Sequence, residues 1–212
     1  MINPQYQSDS SWMAGFQAIE VTGWDLFIVF AVLSTWSLVP GLATLFGTLP
    51  VIALTAMSAA LIFGAINRWY YCPSWLAAGW TGIGARTSML AILGGVIAAV
   101  SVIEVIGTGP AVNNVPVHFG LLAITIGPIC EETFFRGIIQ PMFGRSLGSM
   151  PGLLMTSFAF AIAHRPYSAS HLICLTLTGM AYGWVRNRFG STTSSALMHA
   201  TYNLVLWISV IK

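Results

Sequence analysis

Charge is what this sequence has least of. Eight Lys or Arg and six Asp or Glu make only 7% of the 212 residues charged, where a soluble domain carries about 25%. So few hydrated groups cannot coat a soluble globule of this length. The cations are also scattered singly, which excludes a basic face for nucleic-acid phosphates. Cysteine is scarce as well: Cys72, Cys130 and Cys174 are an odd number, widely spaced, without a CxxC pair. That excludes a disulfide framework and a thiolate metal site, and leaves small buried side chains as their reading. The first twenty residues hold no Lys or Arg and no long apolar run, so no cleavable signal peptide is expected. Ile2 after the initiator Met removes a myristoylation signal. The first span is expected to act as its own insertion signal.

Apolar residues are abundant: 56% of the chain, with a mean hydropathy of +0.80. This is the composition of an integral membrane protein, and it excludes a disordered chain. About 20 apolar residues cross the hydrocarbon, and on that ruler spans fall at Leu26–Phe46, Val51–Ala65, Met89–Ile106, Val117–Phe143, Pro151–His164, His171–Arg186 and Ser194–Ile211. The fourth is interrupted by Gly127-Pro128, and residues 107–116 form a turn rich in Gly, Pro and Asn. Residues 72–88 read as a loop or an interfacial segment. The expected fold is therefore all-α, a polytopic transmembrane bundle of about seven helices. Six to eight are compatible with the pattern. No period-2 alternation suggests a barrel, and no repeat or linker divides the chain, so residues 1–212 read as a single membrane-embedded domain. With seven spans, Arg68, Arg86, Arg145, Arg186 and Arg188 fall on the side of the N-terminus, and Arg165 and Lys212 on the other. The positive-inside rule then places the N-terminus in the cytoplasm, with the cell (inner) membrane as the expected location.

Ionisable groups inside a bilayer are costly and mark function by default. Here they gather in the second half: Glu131, Glu132 and Arg136 in CEETFFRG, His164 closing FAFAIAHR, His199 and Asn203 in MHATYN. Residues four apart share a helix face, so Glu132 and Arg136 read as a structural ion pair. Glu131, about 100° round the helix, is left without that partner, and Glu132 is expected to face away from it. By the same spacing Phe160 pairs with His164, and His199 with Asn203. At about 1.5 Å per residue, Glu131, His164, His199 and Asn203 reach comparable depths. One carboxylate, two imidazoles and a carboxamide can hold and activate a water. Asp25, Glu104 and His118 read as groups near span ends.

These residues resemble the CAAX-protease and bacteriocin-processing family of intramembrane proteases, also called ABI, with its type II CAAX prenyl endopeptidases. The family pattern E-E-x-x-x-R, F-x-x-x-H and H-x-x-x-N/D is matched by Glu131-Glu132…Arg136, Phe160…His164 and His199…Asn203 within about residues 115–205. The resemblance implies an endopeptidase acting on a membrane-associated or lipidated protein or peptide, with no nucleic-acid partner. It makes Glu131 the water-activating carboxylate with His164 beside it, His199 and Asn203 the oxyanion donors, and Glu132 and Arg136 their support. Two other classes stay open: a proton-coupled transporter, and a non-catalytic immunity or scaffold protein on the same fold. The expected paired halves of a transporter are not visible. No cofactor is expected. Zinc or another divalent metal is the alternative, held by Glu131, His164 and His199. In that case the general base would have to be Glu132, already engaged by Arg136.

Overall fold

The computed structural model describes residues 78–107, 117–164 and 168–210. The expected spans at 26–46 and 51–65, most of the 107–116 turn, Arg68, Arg165 and Lys212 lie outside the described residues, and so does the full helix count. Every regular element among the described residues is helical. They are α1 (Ala85–Ile106), α2 (Val117–Ile124), α3 (Ile126–Glu132), a π segment (Thr133–Ile139), α4 (Gln140–Leu147), α5 (Ser149–Ala163), α6 (Ala169–Phe189) and α7 (Thr192–Val210).

The expected fourth span is therefore a broken rod. Pro128 has no N–H to give to the carbonyl of Ile124, and the helix breaks at Thr125, between α2 and α3. A second irregularity follows at once. Gln140 N–H bonds Phe135 O, a five-residue step, and every residue of the π segment is buried. Widened turns of this kind are rare and recur at functional sites. Here one directly follows Glu131 and Glu132.

Among the described residues, α1 is the one helix long and apolar enough to cross a membrane, while α5 is apolar but shorter. Helices α6 and α7 are long, yet they carry many Ser, Thr and Tyr residues and, at the end of α6, two Arg. Those polar residues are largely turned inward: Thr178, Arg186, Thr192, Ser194, Ser195 and His199 are all buried, whereas Leu93, Ile97, Phe158, Ile173, Leu177 and Ile208 are exposed. Polar inside and apolar outside inverts the arrangement of a water-soluble domain.

Helix α7 packs against α1, α2, α3 and α6, and α5 packs between α4 and α6. The α1–α7 crossing depends on Gly95, where a Cβ would run into the carbonyl of Met198 and lie 2.8 Å from Thr201 Cβ. Small residues let helix backbones approach in this way where lipid offers no hydrophobic drive. Gly190, at φ 66° and ψ 18°, ends α6 in the left-handed conformation that glycine adopts without penalty. The chain then turns directly into α7. Residues 78–84 are a loop, one of the two readings the sequence left open. The loop clamps the start of α7: Thr192 N–H and Oγ1 bond Gly79 O and Ala78 O at 2.7 and 2.6 Å. Trp80 Nε1 reaches Thr133 Oγ1 at 3.1 Å, which ties the same loop to the π segment.

Candidate active site

The end of α3, the C-terminus of α5 and the middle of α7 converge on the charged residues. Glu132 and Arg136 form the i,i+4 ion pair that their spacing predicts, Nη1 to Oε1 at 3.1 Å, and both are fully buried. Burying such a pair costs less the more of its remaining hydrogen-bonding capacity is used. Arg136 Nη2 donates to Gly179 O at 2.8 Å, and its guanidinium carbon lies 4.5 Å from the Phe160 ring centroid and 5.3 Å from that of Tyr182. Two aromatic rings thus flank the cation on adjacent sides and favour it.

Glu132 does not face away from the other groups. Its Oε1 also meets His199 Nδ1 at 2.9 Å, and its Oε2 accepts from Ser195 Oγ. The guanidinium on Oε1 makes that oxygen an acceptor, so Nδ1 of His199 carries the proton and Nε2 is presented to the other side. There it lies 3.9 Å from Glu131 Oε2. His164 reaches the same oxygen from α5, with Nε2 at 3.3 Å. The other His164 nitrogen, Nδ1, is 2.8 Å from the carbonyl of Phe160 and must donate to it. Two imidazoles therefore aim the same ring nitrogen at one carboxylate oxygen.

Phe160 organises the rings around this point. Its centroid is 4.3 Å from that of His164 and 5.8 Å from that of His199. Tyr182 stacks on His199 at 4.7 Å with an interplanar angle of 19°. Exposure falls steeply with depth: His164 is 31% and Glu131 22% accessible, His199 3%, and Glu132 and Arg136 0%.

Asn203 stands one helical turn beyond His199, as its spacing implies. Its amide nitrogen, however, donates to Ala123 O on α2 at 2.8 Å. Glu104 is exposed near the end of α1, Asp25 lies outside the described residues, and so does the His118 side chain. Among the described residues no group of three or more His, Cys, Asp or Glu is arranged to hold a metal ion.

Ser195 and Tyr182 are the contributors that motif spacing did not name. Ser195 carries a usable signal, since it precedes His199 by four residues and so shares its face. Tyr182 carries none, because its contact with His199 is set by how α6 crosses α7.

Residues 113–205 match the family model described as Type II CAAX prenyl endopeptidase Rce1-like. This stretch is similar to the CAAX protease family. The match spans every charged or polar group of the cluster. No curated protein and no solved structure shows significant similarity to the chain.

Proposed function

We propose that the protein is an intramembrane endopeptidase in which Glu131 activates water against a peptide bond of a lipidated, membrane-associated substrate. One observation carries this reading: a single buried oxygen of the partly accessible Glu131 is faced by Nε2 of both His164 and His199. A water bound there gives its proton to Glu131 as its oxygen attacks the carbonyl carbon. His164 orients the water. His199, held through Nδ1 by Glu132, takes a proton from solvent on Nε2, donates it as a hydrogen bond to the oxyanion that forms, and returns it to solvent after the oxyanion collapses. Asn203 supplies a second donor if its amide leaves Ala123 during turnover. Collapse of the oxyanion breaks the C–N bond, and the proton on Glu131 passes to the leaving amine.

In this reading no step requires a metal. Were one held, Glu131, His164 and His199 would be its donors. The family description names the substrate class, a prenylated protein C-terminus. The test uses the full chain in lipid nanodiscs with a farnesylated CAAX peptide and its unprenylated counterpart, read by mass spectrometry. Loss of the last three residues from the farnesylated peptide is expected, and Glu131→Gln should abolish it at equal protein level. Full activity in Glu131→Gln would refute the role of the carboxylate. Equal cleavage of both peptides would refute the prenyl requirement.

A further inference from the structure

Ser195 behaves unlike several hydroxyls inside the helices. Thr156, Ser157, Thr176 and Thr201 each donate to the carbonyl four residues earlier in their own helix, the usual refuge of a hydroxyl away from water. Neighbouring Ser194 donates to Ser191 O at 2.6 Å. Ser195, fully buried, instead crosses to another helix and donates to Glu132 Oε2.

That bond divides the labour of one carboxylate. Oε1 takes Arg136 Nη1 and His199 Nδ1, and Oε2 takes Ser195 among the described residues. The terminal torsion of a glutamate is soft and nearly two-fold. Without a donor on Oε2, the carboxylate could swing away from α7 and keep its Arg136 contact alone. The proton on His199 Nδ1 would then lose its acceptor.

We propose that Ser195 is a positioning residue: by pinning Glu132 it keeps the His199 proton on Nδ1 and turns Nε2 toward Glu131. The catalytic meaning of this rests on the reading of Glu131 as the base, but the positioning itself does not. An imidazole held in one tautomer by a buried carboxylate is the way several hydrolases set the working nitrogen of a histidine.

The chain has four histidines, so selective 15N-histidine labelling of the full protein in nanodiscs gives a readable spectrum. His199 is assigned by the signals lost in His199→Gln. In the unaltered protein the His199 Nδ1 signal should be that of a protonated nitrogen. Ser195→Ala should bring in the Nε2–H tautomer at His199 while the other three histidines keep their shifts, and Ser195→Thr, which retains the hydroxyl, should restore the original pattern. If Ser195→Ala does not accumulate, Ser195→Cys, of similar size but a weak donor, is read in the same way. On the farnesylated peptide, kcat should fall roughly 10-fold to 100-fold with little change in KM. A His199 spectrum unchanged by loss of the hydroxyl would overturn the proposal, whatever the peptide assay shows. Failure of the unaltered protein to cleave the peptide would count against the proposed function instead.

Discussion

His199 Nδ1 meets Glu132 Oε1 at 2.9 Å, so the second carboxylate of the Glu-Glu pair is turned into the cluster. The two carboxylates thereby act on opposite nitrogens of one ring, Glu132 on Nδ1 and Glu131 on the Nε2 side. His164→Ala and His199→Ala should each lower kcat by orders of magnitude, because their contacts to water and oxyanion strengthen in the transition state. Asn203→Ala, whose amide rests on Ala123, should cost less than His199→Ala. Turnover of the three variants on one peptide, at matched protein level, checks the ranking. An Asn203→Ala loss as large as that of His199→Ala would reverse it.

Arg136 should matter to folding more than to chemistry. Arg136→Ala leaves Glu132 buried without its cation, beside the rings of Phe160 and Tyr182, and the expected destabilisation is about 3–5 kcal/mol. The thermal midpoint in detergent, together with the accumulated level, measures it. A variant as stable as the parent would contradict the buried-pair reading.

The α1–α7 crossing predicts a steric phenotype far from the charges. Gly95→Val would drive side-chain carbons into Met198 O and Thr201, costing about 1–3 kcal/mol through forced separation of the helices. The same substitution at Gly107, where nothing lies within 4 Å of a Cβ, meets no neighbour, but it is strained by its φ of 80°. Comparing their melting curves separates packing from backbone strain, and crowding is expected to give the larger loss at Gly95.

Chelation should leave a glutamate-dependent enzyme active. Metal analysis of active, purified protein is expected to show no stoichiometric zinc, and incubation with a strong chelator to leave kcat unchanged. Stoichiometric zinc, with activity lost on its removal and restored on its return, would assign Glu131, His164 and His199 as ligands instead.

The arginine asymmetry makes its own prediction, a cytoplasmic N-terminus and an exterior C-terminus across seven spans. Reporter fusions at Lys212 should read exterior. A cytoplasmic signal there would require an even number of spans.

What the sequence disclosed was local. Spacings of three and four place side chains on one face of one helix, so Glu132–Arg136 and Phe160–His164 could be read directly, and both are in contact. Pro128 announced a break, because a missing N–H is a property of the residue itself. The orientation of Glu132 could not be read that way. It is set by Ser195 and His199, more than sixty residues downstream. The π segment was equally hidden, since no residue type in Thr133–Ile139 demands a five-residue step. Helix α7 shows a further limit: its spacing put Asn203 on the His199 face, yet one turn along the axis was enough to hand its amide to Ala123.

The fall in accessibility from His164 and Glu131 to Glu132 and Arg136 bears on what is scarce in such a reaction. In a bilayer water is the scarce reactant, and on the proposed reading it would have to come to Glu131 from the more accessible His164 side, because Glu132 and Arg136 are sealed off. For a lipidated substrate, the stretch between lipid attachment and scissile bond would then set how far the peptide bond can be drawn toward Glu131.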